Sequence, residues 1–424
     1  MKKPEQLREE FWKQDMESGG LIYSQYAEIK QVISAGDMDW VLRKLQEIKQ
    51  FAIEHTEYYK EYSPEDEFPV MSKMHLVENY ESHTSDGGFM TPIHVSSTSG
   101  STGTPFSVKQ DKVKRMRNIA DIKVFGEFCD YPSHERMVFF RVINSKLHRT
   151  PEQEDAENIY YIDSSDLGEK RLGEMTQVIL EKKPRIIFSY STTLVELAKY
   201  IRDNMGEVTF SMKAVLTGGE GVSEENRRML GEVFGCKVYR RYSDMELGIL
   251  GQDMGDGGRY RLNWGSYYFE TLKTDSDEPA EYGEVGRIVI TDLFNKAFPM
   301  IRYDTGDLGV MEKPDDGGWP YLSEIFGRSR DCVYCTDGIL LSPAKISVMM
   351  WGQSGIKQWQ FIQNDRTDYT IKLNTDGEID VPPLLCKFTE VLGKDANIHV
   401  EFVDEIPVQA SNKRRAVICN YEKG

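Results

Sequence analysis

The sequence predicts an α/β protein. A large N-terminal domain of parallel and mixed sheets flanked by helices, with a smaller antiparallel part, is followed by a small α+β C-terminal domain. Three observations predict this. Between Met137 and Ser243, apolar runs of strand length alternate with amphipathic helical stretches, the pattern of parallel βαβ units. From Tyr267 the runs follow one another without helices between them, as antiparallel strands do. After FGRSRD, Phe326 to Asp331, a third style begins that suits a unit of roughly 90 residues, within the range of small domains. The domain boundaries expected are 1–329 and 330–424.

The first stretch is helical. Phe11, Ile22, Tyr26, Ile29, Val32 and Ile33 recur at helical spacing, and Trp40, Val41, Leu45, Ile48 and Phe51 repeat it. SPEDEFPVMSKMHL reads as a loop leading into a short helix. VSSTSGSTGTPFSV, Val95 to Val108, is a loop of Ser, Thr and Gly. A basic amphipathic helix is expected from about Asp111 to Phe128.

MVFFRVI, PRIIFSYS, KAVLTGGE and CKVYRRYS are the strands of the alternating region. GEKRLGEMTQVILEKK, TTLVELAKYIRDN and SEENRRMLGEVFG are its helices, the last with Ser223 as N-cap and Gly235 as C-cap. YYFETLKTD, GRIVITDL and the run through PMIRYDTGDLGVM are the antiparallel part. In the C-terminal unit DYTIKLNTDGEIDV predicts a hairpin with Asp376-Gly377 at its tip. VPPLLCKFTEVLG predicts a helix, and ANIHVEFVDEI a strand.

Composition excludes several functions. The chain has 424 residues, 39% of them hydrophobic, enough for two or three cores. A formal charge of −17 repels duplex nucleic acid, so no nucleic-acid partner is expected. MKKPEQLREEFWKQ has no apolar core behind its lysines and does not read as a signal peptide. No apolar run approaches bilayer length, so no membrane role is expected and cytoplasm is the expected address. The six cysteines include one C-x-x-C, Cys332 and Cys335, and the seven histidines are scattered. No second pair completes a zinc site. Large α/β enzymes often pair as C2 dimers, and a homodimer is left open.

The Ser99-Gly100-Ser101-Thr102-Gly103 loop is where chemistry enters. Glycines let backbone N–H groups converge on an anion, and hydroxyls add donors. No lysine follows Gly103, so this is not a Walker A loop. On composition alone it is equally a phosphate cradle or a flexible linker.

Its company decides. SGSTGTP, GGEG, YSDME, RYDTGD, GRSRD and NKRRAV follow in this order. In order and approximate spacing they resemble the core motifs of the adenylate-forming superfamily, and most of all its phenylacetate–CoA ligase-like and capsule-biosynthesis-associated branch. The resemblance covers roughly residues 40–424. It implies ATP and Mg²⁺ as cofactors, a small-molecule carboxylic acid as substrate, coenzyme A as acceptor, and a mobile small domain.

Residue by residue, the resemblance implies that Ser99 to Gly103 hold the β- and γ-phosphates of ATP. Gly218, Gly219 and Glu220 line the adenine, and Tyr242 stacks on it. Glu246 holds Mg²⁺. Asp307 accepts from both ribose hydroxyls, and Arg328 lies near ribose and phosphate. Lys413 reaches the substrate carboxylate and the α-phosphate, which makes Lys413 and Glu246 the catalytic pair. Arg330 is the hinge between the domains. Tyr190, Ser191, Gly218 and Tyr242 form the acid pocket.

Four positions depart from the family pattern. Thr104 replaces the lysine often found after the loop, and Met245 replaces Thr or Ser before the magnesium glutamate. Arg330 replaces an Asp at the hinge, and Asn412 a glycine before the catalytic lysine.

The expected activity is ATP-dependent formation of an acyl-adenylate, with pyrophosphate leaving, then transfer to coenzyme A. Two alternatives stay open: transfer to an amine or hydroxyl without coenzyme A, and a nucleotide-binding protein without catalysis. Where aromatic-acid ligases carry a Gly-rich segment, this chain reads FFRVINSKLHRTPEQ. Arg141, Lys146, His148 and Arg149 there would suit an anionic or sugar-linked acid, though an exposed loop is the favoured reading.

Overall fold

The computed structural model describes every residue except 1, 87–93, 98–105, 144–148, 207, 220, 223, 257, 315–316, 329–332, 342–345, 347–348, 351–354, 376, 378, 407–415 and 422–424. Two compact units are present. One holds Met1–Gly100, Thr104–Thr305 and Val310–Glu324; the other is chiefly Ile325–Gly424, with Gly306–Gly309.

The chain opens with α1 (Pro4–Glu17), α2 (Leu21–Ala35) and α3 (Met38–His55), then the short α4 (Lys73–Glu78) and α5 (Tyr80–His83). The hairpin β1 (His94–Ser97) and β2 (Ser107–Gln110) leads to α6 (Lys112–Glu127). The alternating region follows as β3 (Met137–Arg141), α7 (Pro151–Glu157), β4 (Ile159–Asp163), α8 (Glu169–Lys182), β5 (Ile186–Ser189), α9 (Ser191–Asn204), β6 (Ala214–Gly218), α10 (Glu224–Phe234) and β7 (Lys237–Asp244). The antiparallel part is β8 (Gly248–Asp253), β9 (Tyr260–Leu262), β10 (Tyr267–Leu272), β11 (Val285–Asp292), β12 (Tyr303–Glu312) and β13 (Tyr321–Arg328).

These strands form one mixed sheet of eleven, in the order β10-β11-β12-β13-β9-β8-β7-β6-β5-β3-β4. The run β4-β3-β5-β6-β7 is parallel throughout, and β8 turns back antiparallel on β7. Alternation along each strand divides the core. Val138, Phe140, Ile187, Val215 and Val238 face α8, α9 and α10, meeting Leu172, Met175, Leu194, Leu197 and Phe234. Met137, Ile186, Ala214, Leu216 and Tyr239 point to the opposite face. On that side α6 lies against α2 and β8 through Ala120, Val124, Phe125, Ile29 and Ile249.

The helix expected from about Asp111 to Phe128 forms as α6, with those two residues as its caps. Two of its basic residues do not face solvent: Lys114 and Arg117 are fully buried. Each is retained by partners that offset its desolvation. Lys114 pairs with Asp292 at 2.7 Å, both inaccessible to water. Arg117 donates to Ser266 Oγ at 3.0 Å and to Gly265 O, pairs with Glu28, and lies 3.8 Å over the Phe294 ring.

The second unit carries the two-stranded ladder β14 (Val333–Tyr334) and β15 (Leu340–Leu341), then β16 (Ile356–Gln363), β17 (Asp368–Thr375), α11 (Val381–Leu392), β18 (Asn397–Phe402) and β19 (Val417–Cys419). Its four-stranded sheet runs β18-β17-β16-β19 over a core of Phe361, Tyr369, Ile371, Leu373, Leu384, Phe388 and Leu392. Asp376, in the tip of the expected hairpin, lies outside the described residues, and among those described β17 does not pair with the segment that follows it before α11. β17 pairs antiparallel with the preceding β16 and parallel with β18. The reason is Val381-Pro382-Pro383: prolines cannot donate to a ladder and instead occupy the first turn of α11. Among the described residues no helix is long and apolar enough to cross a membrane.

Candidate active site

The turn after β7 meets the β1–β2 hairpin and α4, and β6 ends beside β7. Parallel sheets present ligands at this edge, because strand ends and helix N-termini gather there. Gly218 closes β6, where its Cα stands opposite Arg241 on β7. A Cβ on Gly218 would come within 3.1 Å of the Phe188 ring, so the position must be bare. Gly219 follows with φ of 73°, in the left-handed region that favours glycine. Glu220 lies outside the described residues.

Tyr242 comes one residue after Arg241 and is buried. Its hydroxyl donates to Thr305 Oγ1 at 3.5 Å, and Thr305 donates to Ile288 O at 2.9 Å. Tyr190 and Ser191 sit at the N-terminal boundary of α9, with Ser191 buried. By register Tyr190 falls one step past the Ser189–Thr217 pair, which places it level with Gly218.

Glu246 occupies the turn from β7 to β8 and is 7% exposed. The turn is built by YSDMELG. Asp244 Oδ1 accepts from Leu247 N at 2.6 Å and Gly248 N at 3.4 Å, an Asx turn that folds the chain without backbone partners. Gly248 has φ of 122°, and a Cβ there would meet Asn118 Oδ1 at 3.1 Å and Tyr267 Oη at 3.2 Å. Three groups fasten this turn. Ser96 Oγ on β1 donates to Met245 O at 2.5 Å, and Gln110 Nε2 on β2 donates to Glu246 O at 3.5 Å. From below, Tyr267 Oη donates to Leu247 O at 2.6 Å and accepts from Lys114 Nζ at 2.9 Å. Burial, with the nearby Asp121 and Asp292 charges, pushes the Tyr267 phenol well above its usual value, so it stays a donor.

The Glu246 carboxylate faces Lys73, whose Nζ lies 3.3 Å from Oε1. The main chain puts Lys73 there. Met71 makes a parallel bridge with Tyr303 at the start of β12: Met71 N donates to Arg302 O at 2.8 Å, and Asp304 N donates to Met71 O at 2.9 Å. Lys73 then opens α4, and its ammonium lies 5.8 Å from the Phe106 ring centroid. Lys73, Tyr242, Glu246 and Thr305 are thus drawn to one place.

Sequence reasoning missed Lys73, Lys114, Asp292, Tyr267 and Thr305. A lone lysine at a helix start carries no signal. A charged residue on a basic-looking helix reads as solvated until its buried partner, here 178 residues distant from Lys114 (292 − 114), is known.

The other expected site residues stand as follows. Asp307 lies on β12, two residues beyond Thr305. The backbone of Arg328 ends β13. Ser99 to Gly103, Thr104, Arg330, Asn412 and Lys413 lie outside the described residues.

Several known proteins resemble this chain. The family described as the CapK C-terminal domain matches residues 333–420. Protein CapK of Staphylococcus aureus is 24% identical over 247 residues, 56% of this chain and 53% of that protein. Phenylacetate-coenzyme A ligase of Thermus thermophilus is 28% identical over 259 residues, 58% of this chain and 55% of that one. The chain spans about half the length of the curated relatives it matches. Among solved structures, a 2-hydroxyisobutyryl-CoA ligase in its postadenylation state, in complex with R3-HIB-AMP, superposes with a TM-score of 0.71 at 18% identity, over 90% of this chain and 89% of that one. The AMP complex of O-succinylbenzoate coenzyme A synthetase from Bacillus subtilis superposes with a TM-score of 0.55 at 15% identity, over 76% and 67%. The likeness of fold and the sequence relatives agree with the ordered motifs and support the adenylate-forming superfamily, on its phenylacetate–CoA ligase-like branch.

Proposed function

We propose that this chain activates a carboxylic acid with ATP as an acyl-adenylate and passes the acyl group to coenzyme A. The observation that carries the reading is the buried Glu246, fixed on a turn clamped by β1, β2 and Tyr267 and facing a lysine. A water-poor carboxylate held in place beside a cation is a site prepared for a metal–polyphosphate group. The residues fit that group: a hard anionic oxygen, a bare glycine strand end, and a tyrosine beside them. Mg²⁺ bound at Glu246 would neutralise phosphate charge.

The chain's own residues do the rest. Gly218, Gly219 and Glu220 leave room for the adenine and Tyr242 supplies its stacking surface, kept in place by Thr305. Asp307 accepts from the ribose hydroxyls, with Arg328 beside it. Ser99 to Gly103 present N–H and O–H donors to the outer phosphates. Lys413 neutralises charge that builds on the α-phosphate as the acid's carboxylate forms its bond to phosphorus and pyrophosphate departs. Residues 1–329 and 330–424 act as two domains hinged at Arg330, the second delivering Lys413. The reaction takes place in the cytoplasm.

ATP–pyrophosphate exchange on the purified protein tests this, across aromatic, fatty, hydroxy and amino acids, with and without coenzyme A. Exchange that depends on one class of acid is the expected result. ATP binding without exchange under any acid would defeat the catalytic reading. AMP release that coenzyme A fails to accelerate would redirect the acyl group to another acceptor.

A further inference from the structure

The parallel sheet ends in a row of residues that the adenylation chemistry leaves unused. By register Arg141 on β3 stands beside Asp163 on β4, and Gly218 on β6 beside Arg241 on β7. Tyr190 lies between them. One step earlier on the same face come Tyr161, Phe139 and Phe188, with the last two rings stacked at 4.5 Å and the first two at 5.6 Å. Arg141 and Arg241 each lean over this aromatic floor, 5.1 Å from the Phe139 centroid and 5.6 Å from the Phe188 centroid. Gly218 keeps the middle of the row open, since any side chain there would strike Phe188.

More positive charge gathers at the Arg141 end. Arg149 lies 6.0 Å from the Tyr161 centroid. Arg115, near the start of α6, faces Arg149, and burial together with that charge lowers its pKa. Arg115 in turn lowers that of His94 on β1, after burial.

The carboxylates nearby do not neutralise the cluster. Glu157 pairs with Arg149 at 3.6 Å. Asp163 engages Ile143 N at 3.0 Å, Ser165 N at 3.3 Å and Ser165 Oγ at 2.6 Å. Among the described residues Arg115, Arg141 and Arg241 make no ion pair. The Arg241 side chain donates to Gln252 Oε1, and among the described residues Arg141 Nε is buried without a hydrogen-bond acceptor. In a chain of charge −17, Arg141 and Arg241 at the strand ends and Arg115 on α6, without an ion pair among the described residues, are a costly arrangement. It becomes favourable when an anion arrives.

Resting on the adenylate-forming reading, we propose that the acid this site activates carries a second anionic group, held at the Arg141 end of the row. Tyr242 and Glu246 fix where the reacting carboxylate must lie, next to β7. Arg141 is three strand spacings from Arg241, about 14 Å. The second charge therefore sits at the far end of the acid, over the aromatic floor. Arg141, Arg115 and Arg149 discriminate among acids and take no part in bond making.

Calorimetric titration without ATP tests this on the intact protein. The probes are suberate against octanoate, and glucuronic acid 1-phosphate against glucuronic acid; the pairs separate a carboxylate from a phosphate as the second group. At least one dianion should bind tenfold or more tighter than its monoanionic partner. In Arg141→Met that ratio should fall about tenfold, and Arg141→Lys should retain most of it. Arg115→Met, on a different element, should lower the ratio too.

Equal affinity for both members of each pair would overturn the proposal. So would a ratio unchanged in Arg141→Met, or an ATP affinity that falls as far as the dianion affinity, which would assign the arginines to the nucleotide. Because these titrations omit ATP, failure of pyrophosphate exchange would sink the adenylate reading and leave the charge result readable.

Discussion

Lys73 and Glu246 provide the sharpest test of how the site is held before its ligands arrive. Their 3.3 Å separation corresponds to a gross attraction of about 5 kcal/mol at an effective dielectric constant of 20. Desolvation of the carboxylate, 7% exposed, offsets much of this. Lys73→Met leaves that carboxylate with no cation at this distance and should cost about 2 kcal/mol. Glu246→Gln leaves an ammonium whose side chain is 21% exposed and which can turn toward water, so about 1 kcal/mol is expected. The double variant should cost about 2 kcal/mol rather than the sum, a coupling of about 1 kcal/mol. Urea unfolding of the four proteins at constant slope measures this. Additivity within about 0.3 kcal/mol would refute a working ion pair. In exchange assays Glu246→Gln should lose about 10²–10³-fold in rate, far more than its stability change explains.

Burial, and after it the neighbouring His75, holds the fully buried His83 down to about 4. Its ordinary value is near 6.5. The unfolded chain therefore binds this proton first as pH falls, and the stability present above about pH 6.5 is lost progressively toward pH 4. At pH 5 the loss from this residue is about 2 kcal/mol. His83→Phe, which keeps the ring stacked on Tyr58, should lose correspondingly less between pH 7 and pH 5, and an identical loss in both proteins would show that His83 is not responsible. Gly218→Ala drives a methyl group to 3.1 Å from Phe188 and should weaken nucleotide or acid binding by about 1–3 kcal/mol; calorimetry showing wild-type affinities would mean that the strand end is not part of the pocket. Lys413→Ala should slow pyrophosphate exchange about 10²–10³-fold while ATP affinity changes little, and an unchanged rate would remove Lys413 from the chemistry.

The sequence by itself determined most of the architecture. Strand and helix periods between Met137 and Asp244 are strong because the central parallel strands β3, β5 and β6 are largely buried on both faces, leaving apolar runs. MVFFR and KAVLTG become β3 and β6 for that reason. Gly218, Tyr242, Glu246 and Asp307 were proposed from their order along the chain, since a family resemblance is a linear pattern.

Where local pattern and long-range partner compete, the sequence misled. DYTIKLNTDGEIDV has every mark of a hairpin, but the chain enters the helix at Val381, with prolines in its first turn, and β17 finds its antiparallel partner upstream. Lys114 and Arg117 look solvated because charge normally is, and only Asp292, Ser266 and Glu28 make their burial affordable. The tertiary structure alone decided that Lys73 faces Glu246, and that Arg115, Arg141 and Arg241 border one aromatic row with no ion pair among the described residues. Those relations are distances between residues far apart in the chain. Chain order sets which residues exist near an edge of the sheet, but only strand order and register set which charges face each other there.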